Sequence, residues 1–494
     1  MSERRSMECY VRRRHSSLSE EDRLSSLPDA LLIDILSHLQ IDCAVATSVL
    51  SRRWRHLWTG VTNFKFDCND CRVTSDKFSS VVVDLLRQLT SPKLRVFKLE
   101  LNWLANLFNP GVAESCFREV CRRNVDQIIV DPKEINLLDR LPIPACLFNS
   151  KSLVILNLRN VLEIDFPENV AIQLPNLKSL TLDHLVYVPH CLESLFRSCP
   201  RLEDADLTFL SAGTQIILNI PALNLRSLRL GMCHMSSCEI FENQPPPKIF
   251  IDAPKLANLC IFDYTSYYYF IQNPTKLVKA SIYLTRDEAY EPAEEDYLHQ
   301  LSKFVRGMSS VIKLDLIAYG NTNLYPYLNS LNLGTKLIFP NLGRLITELE
   351  YIGWNDLLLS MQCFPNLKHL KVNLSMRDGL PMDHMNWCVP DCLVNKLKTI
   401  EISKLYETDD DLKLLGYILS NAVVLAKLHV YVTSKKESKE VRLWKVCNFC
   451  KSLFKLPRAS STCEIVFCTR GLMRASSNAY TKDGQFTCDI YGLG

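Results

Sequence analysis

Residues 24–58 read LSSLPDALLIDILSHLQIDCAVATSVLSRRWRHLW. The stretch divides into three short amphipathic helices. The first opens at Leu27-Pro28, where proline costs no hydrogen bond because first-turn N–H groups have no intrahelical partner. Ser25 or Ser26 is available to cap it. Leu31, Leu32, Ile35, Leu36 and Leu39 recur at helical spacing and form a wide apolar face. A break at Gln40-Ile41-Asp42 precedes a second helix, roughly Cys43 to Leu50. Ser51 is placed to cap a third, which carries Arg52, Arg53, Trp54, Arg55, Leu57 and Trp58. A module of about 45 residues buries too little surface to be stable without help, so this much apolar surface predicts a partner.

The segment resembles the F-box, in the form common in plant F-box proteins. The resemblance rests on Leu27-Pro28-Asp29, Ile35-Leu36, the run Ala44-Val45-Ala46-Thr47-Ser48-Val49-Leu50-Ser51, and Arg53-Trp54-Arg55 with Leu57-Trp58. It implies docking to the Skp-family adaptor of an SCF-type E3 ubiquitin ligase and, through that adaptor, association with a cullin and a RING protein. The residues it assigns to adaptor contact are Leu27, Pro28, Leu32, Ile35, Leu36, Leu39, Val49, Leu50, Trp54, Leu57 and Trp58. The chain departs from the family at the second helix, where Gln40 and Cys43 stand in place of a proline and an acidic residue. Asp42 is placed to cap there instead, one residue early.

The 494 residues are enough for two to four domains. A hydrophobic content of 47% with 22% charged residues fits a soluble globular protein. The net charge of +3 provides no bulk attraction to nucleic acid or membrane. Only 15 glycines argue against a glycine-rich nucleotide-binding architecture, and no apolar run reaches the roughly 18 residues needed to span a bilayer. Arg4, Arg5 and Arg12-Arg13-Arg14-His15 are followed by no apolar segment, so they are not read as a secretory signal. They suit either a nuclear-import patch or a solvated tail. Twenty cysteines without such a signal point to a reducing compartment, nucleus and/or cytoplasm, with thiols acting as small apolar side chains. The pairs Cys68/Cys71 and Cys447/Cys450 lie far apart with no histidine at a zinc-finger spacing. Neither a metal nor another cofactor is expected.

Downstream, the pattern apolar-x-x-apolar-x-apolar recurs thirteen times, with first anchors at Leu94, Val125, Leu153, Leu177, Leu202, Leu225, Leu256, Leu277, Val311, Leu342, Leu367, Leu397 and Leu425. Successive anchors are 21 to 34 residues apart, and Thr347 alone of the 39 anchor positions is not apolar. Pro175, Pro200, Pro254, Pro340 and Pro365 each stand two residues before a first anchor. There they end the preceding element and are expected to hold the chain extended. Intervening segments such as His190–Phe196 have helical character. A strand and a short helix at this period resemble leucine-rich repeats, specifically the irregular repeats of plant F-box proteins. The fold class that follows is α/β: a small three-helix module, then an irregular leucine-rich-repeat solenoid with a parallel sheet on its concave face. One turn cannot bury its own apolar side, so stacking drives the fold.

The end of the array resembles the FBD domain, another companion of plant F-boxes. The matching residues include Trp387-Cys388-Val389-Pro390-Asp391-Cys392-Leu393, Leu397-Lys398-Thr399-Ile400-Glu401-Ile402 and Phe454-Lys455-Leu456-Pro457-Arg458. The expected organisation is a basic disordered tail over 1–18, the F-box over 19–65, repeats over 66–385, the FBD-like end over 386–468 and a tail over 469–494.

Strand side chains alternate, so residues flanking the second anchor point out from the sheet. Those positions carry Asp204 and Asp206, then Arg229, Lys279, Lys313, Arg344, His369, Lys371, Lys427 and His429, with Asp315 and Glu401 the opposing charges in that later half. This predicts a mildly basic face suited to an acidic or phosphorylated segment of a protein substrate, or else a solvated strand face without a ligand. The run Tyr264, Tyr267, Tyr268, Tyr269 and Phe270 offers interface aromatics or fills space beneath a loop. No P-loop, Gly-x-Ser-x-Gly, His-Glu-x-x-His or kinase signature occurs. An adaptor without catalytic residues is therefore expected. A non-degradative Skp-binding scaffold and a small-molecule-sensing repeat receptor are the alternatives.

Overall fold

Every anchor position of the thirteen repeats is buried, none more than 4% exposed, in the computed structural model of this chain. The structure describes residues 24, 26–67, 75–101, 110–132, 145–159, 172–186, 189–211, 217–234, 248–263, 268–272, 274–285, 294–319, 338–349, 354–374, 389–433, 439–469, 473–476 and 489–490. Each anchor triplet leads into one strand, and each strand pairs in parallel with the next. Together with strands at both ends they make a 17-stranded sheet. Only its last two strands, Met473–Ser476 and Asp489–Ile490, are antiparallel. Those two lie in the segment 469–494, read from the sequence as a tail without a clear period. The short alternating segment at 473–476 could be recognised only once Val466–Cys468 offered it an edge to pair with.

The sheet also begins one repeat earlier than the thirteen anchors. Asn63–Asp67 pairs with Val96–Leu101, and its own triplet is Val61, Phe64 and Phe66, at most 2% exposed. The ring centroids of Phe64 and Phe97 are 5.6 Å apart, carrying the core from one turn to the next. Helices cover the core over much of its length, among them Ser75–Gln88, Pro110–Arg122, Pro189–Ser198, Glu294–Gly307, Asp409–Asn421 and Lys439–Lys455.

Three neighbouring repeats replace the helix with a strand. Ile217–Pro221, Lys248–Asp252 and Tyr268–Gln272 form a separate parallel sheet. A strand covers about 3.3 Å per residue against 1.5 Å for a helix. Two of the shortest repeats, with 23 and 21 residues between first anchors, therefore cross back in five residues. Burial alternates along both strands, with Leu218 and Ile220 inward in one and Ile249 and Ile251 in the other.

The prolines have a role beyond the one expected. Each is the second residue of a hydrogen-bonded β-turn, where its fixed φ is favourable. The first anchor closes that turn, as in Leu177 N–H to Leu174 C=O at 3.2 Å and Leu202 to Cys199 at 3.1 Å. A second ladder stitches repeats at this edge. The Asn176 amide donates to the Lys151 carbonyl, Asn224 to Pro200 and Asn366 to Pro340, at 2.7, 2.7 and 2.8 Å.

Candidate docking face and recognition face

The N-terminal helices are α1 (Asp29–Ser37) and α2 (Ile41–Ala46), followed by 3-10 turns at Thr47–Val49 and Trp54–Gly60. Pro28 is the cap residue of α1 and not its first helical residue. Its carbonyl accepts from Leu31 and Leu32 at 3.0 and 3.2 Å. The cap residues Pro28, Gln40 and Arg53 make no side-chain capping hydrogen bond. The cap positions expected at Asp42 and Ser51 are corrected: Asp42 lies within α2, which starts at Ile41, and the cap residue of the turn at Trp54–Gly60 is Arg53. Ser25 lies outside the described residues.

Helix α1 carries two apolar stripes. Leu32 and Leu36 point inward, at most 1% exposed, and meet Ile41, Ala44, Leu57, Trp58 and Val61 in a core continuous with the solenoid. Leu31, Ile35 and Leu39 follow at intervals of four on a neighbouring stripe and are 51%, 44% and 39% exposed. Val49 and Leu50, just past α2, are 85% and 66% exposed. Four expected docking residues are therefore reassigned: Leu32, Leu36, Leu57 and Trp58 are core, since burial in the module's own interior leaves them no surface to offer. Leu27 and Trp54 are half-buried and Pro28 is exposed. Leu31 was missing from the expected set, although its spacing of four from Ile35 marks it. The module joins the repeats without a linker: the Ser37 hydroxyl accepts from Thr62 N–H at 3.0 Å, and Thr59 C=O accepts from Thr90 N–H at 2.7 Å.

On the open face of the sheet, cross-strand register places Lys279, Lys313, Arg344 and His369 directly opposite one another on four consecutive strands. Neighbouring strands are about 4.8 Å apart, so this is a compact row of basic side chains. Most of the other predicted cations are neutralised. Arg229 lies 3.6 Å from Asp206, Lys279 3.5 Å from Asp315, Lys371 2.5 Å from Glu401 and Lys427 3.2 Å from Glu464. The expectation that only Asp315 and Glu401 oppose the basic face is therefore corrected. Asp206 and Glu464 act on it from neighbouring strands, and Glu348 holds Lys404 at 2.7 Å.

Lys313 and Arg344 are exposed and meet no carboxylate among the described residues. His369 Nδ1 lies 2.7 Å from the Thr399 hydroxyl. Burial pushes its pKa down, and nearby Arg344, Lys368 and Lys398 add to that. Among the described residues, the positive charge of this row without a carboxylate partner is thus at Lys313 and Arg344.

The aromatic contribution lies elsewhere than expected. Tyr268 and Tyr269 are 8% and 4% exposed. They belong to the second sheet, where the Tyr269 ring packs 5.4 Å from Phe304, so they are core and not a binding surface. Tyr264 and Tyr267 lie outside the described residues. On the open face, Phe262 and Tyr283 stack at 4.4 Å, with the Arg229 guanidinium 4.5 Å from the Phe262 ring centre. Both rings sit one position beyond the last anchor of their repeats, the next outward site of the alternation.

The described residues contain no group of three or more His, Cys, Asp or Glu able to hold a metal ion, and no helix among them is long and apolar enough to cross a membrane. Cys450 is buried and Cys447 half-buried on one helix; Cys68 and Cys71 lie outside the described residues.

Comparison with known proteins follows this layout. The F-box domain family model matches residues 24–66. The model for the LRR repeats of FBD-associated F-box protein At5g56370 matches residues 113–276, and the FBD model matches residues 386–430. The chain is 30% identical over 455 residues to the F-box/FBD/LRR-repeat protein At5g22660 of Arabidopsis thaliana, an alignment covering 90% of this chain and 96% of the relative. It is 30% identical over 437 residues to the putative F-box/FBD/LRR-repeat protein At5g44950 of the same plant, covering 86% and 95%. To the F-box/FBD/LRR-repeat protein At5g56420, also from Arabidopsis thaliana, it is 29% identical over 458 residues, covering 91% and 100%.

Proposed function

Because this chain belongs to the F-box/FBD/LRR-repeat family of plant proteins, we propose that it is the substrate-recognition subunit of an SCF-type E3 ubiquitin ligase. In this reading the F-box docks a Skp-family adaptor, which links the chain to a cullin and a RING protein, and the repeats hold a protein substrate. The chain itself transfers nothing. It contributes proximity, raising the effective concentration of substrate at the ligase.

The observation that carries the proposal is the double stripe of α1. One stripe already closes the module's core, so the second, Leu31, Ile35 and Leu39 with nearby Val49 and Leu50, is left in water. Exposed apolar side chains grouped on one helix face mark an interaction surface. For the substrate, the row Lys313, Arg344 and His369, flanked by Lys279 and Lys371, supports an acidic or phosphorylated segment, to which guanidinium and ammonium groups make charge-assisted hydrogen bonds.

Co-purification tests the reading. Ile35→Asp with Leu50→Asp should remove the Skp-family adaptor while proteins bound to the repeats persist. Proteins that accumulate in plants carrying that variant, and also on proteasome inhibition, are the substrates. Retention of the adaptor by the variant, or the lack of any protein stabilised in both conditions, would refute the proposal.

A further inference from the structure

We propose that the strand-entry edge of the repeats at Leu177 to Leu256 is a second binding site, for a protein segment carrying two phosphates spaced three residues apart. A cleft of about 310 Å³ opens there, lined by Lys178, Arg201, Glu203, Asn224, Arg226 and Lys255. Four cations face one carboxylate. The cations come in two sets. Arg201 and Lys255 directly precede their first anchors, and Lys178 and Arg226 directly follow theirs.

Two of the four are held in place by the asparagine ladder of this edge. Arg201 donates to Asn176 Oδ1 at 2.8 Å, while the Asn176 amide is tied to the Lys151 carbonyl. Lys255 donates to Asn224 Oδ1 at 2.6 Å, while the Asn224 amide is tied to the Pro200 carbonyl. The same device thus occurs twice, two strands apart. Each asparagine uses its amide nitrogen to fix its own plane on the backbone and its oxygen to orient a cation. Cations oriented beforehand lose less side-chain entropy when an anion binds. Arg226 is held only loosely, 3.7 Å from Glu203, and Lys178 meets no carboxylate among the described residues.

The spacing selects the ligand. Arg201 and Lys255 stand two strand spacings apart, about 10 Å, and so do Lys178 and Arg226. One phosphate group cannot bridge that span, and Glu203 repels an anion at its centre. Two phosphates about 9 Å apart match it, and a polyproline II segment places residues i and i+3 on one side at that distance. The cleft lining contains no aromatic ring on which a nucleic-acid base could stack. This site is independent of the ligase reading, since the segment is captured whether or not its owner is ubiquitinated.

Fluorescence polarisation with the full chain tests the assignment, using one labelled peptide sequence in four forms: phosphoserine at i and i+3, at i alone, at i and i+1, and at neither. The i and i+3 form should bind at least tenfold more tightly than the others. Arg201→Glu with Lys255→Glu should remove that preference, and Asn176→Ala with Asn224→Ala should weaken binding several-fold although all four cations remain. Unchanged thermal midpoints would show that these variants fold. Equal affinity for the singly phosphorylated peptide would overturn the proposal. So would binding that survives Arg201→Glu with Lys255→Glu but is lost in Lys313→Glu with Arg344→Glu. Displacement of the peptide by equimolar inorganic pyrophosphate would give the cleft to a compact phosphate anion and overturn it likewise.

Discussion

The guanidinium of Arg53 is bonded to the carboxylate of Asp29, with Nε and Nη2 reaching Oδ1 at 2.8 and 2.6 Å. Nη2 also donates to the Leu27 carbonyl. The Leu-Pro-Asp and Arg-Trp-Arg signatures, far apart in sequence, are therefore two halves of one clasp holding the start of α1 to the chain beyond α2. The pair is 37% and 60% exposed, so a double-mutant cycle with Asp29→Ala and Arg53→Ala should return a coupling of about 0.5–1 kcal/mol in chemical denaturation. Arg53→Ala should cost more than Asp29→Ala, because it also strips the Leu27 carbonyl of its donor.

The two stripes of α1 separate stability from docking. Ile35→Asp changes an exposed position and should shift stability by no more than about 0.5 kcal/mol while abolishing adaptor co-purification. Leu32→Asp buries a carboxylate in the core and should unfold the module, seen as a lost thermal transition together with lost adaptor.

Arg123 is the charged keystone of the first repeats. It is 7% exposed, and it donates to the carbonyls of Ser91, Leu86 and Leu89 at 2.6, 3.0 and 2.9 Å and to Glu119 at 3.0 Å. Arg123→Met leaves buried acceptors unpaired and should cost about 3 kcal/mol in urea unfolding. The Glu119 carboxyl is held below its ordinary value, chiefly by its hydrogen bond from Arg122 and then by Arg123, against the opposing effect of burial. A carboxyl with a depressed folded pKa contributes in full above its unfolded pKa and is lost as pH falls through the folded value. The gap between wild type and Arg123→Met should therefore narrow below about pH 4.

His369 depends on pH in the same direction, over a higher range. Its folded pKa is below the ordinary histidine value, so the unfolded chain binds the proton more readily. Its contribution is complete above the unfolded pKa and declines as pH falls below it. His369→Gln should flatten that part of the stability profile measured by thermal unfolding between about pH 7 and 5.

The buried Asp411 caps helix Asp409–Asn421 from within. Its Oδ2 accepts from the N–H groups of Tyr406 and Thr408 and from the Thr408 hydroxyl at 3.0, 3.0 and 3.1 Å. Thr408 Oγ1 accepts in return from Asp411 N–H at 3.3 Å. Thr408→Ala should cost about 1 kcal/mol and Asp411→Ala about 2 kcal/mol. Hydrogen exchange should quicken first at Tyr406 and Thr408.

The strands were legible because Leu94-x-x-Phe97-x-Leu99 and its successors repeat a pattern whose only use is to point inward. Val61-x-x-Phe64-x-Phe66 obeys the same rule but overlaps the end of the helical module, where helical spacing masks it. The strands Ile217–Pro221 and Lys248–Asp252 were harder to see, since each is only five residues long and short apolar runs suit helix or strand alike. The neutralisation of Arg229 by Asp206 was not legible at all, because the partners come from different repeats and meet only at a particular register.

The sequence alone determined that a strand returns with every repeat, because a single strand–turn unit cannot cover its own leucines and must stack. It also determined that the first helix has apolar side chains on more than one line. Tertiary structure alone decided which line faces inward, Leu32 and Leu36 against Trp58 and Val61, and which cations meet no carboxylate among the described residues, Lys313 and Arg344. Both outcomes depend on distances between residues far apart in the chain. Local periodicity carries no record of those distances, and the stacking of repeats sets them.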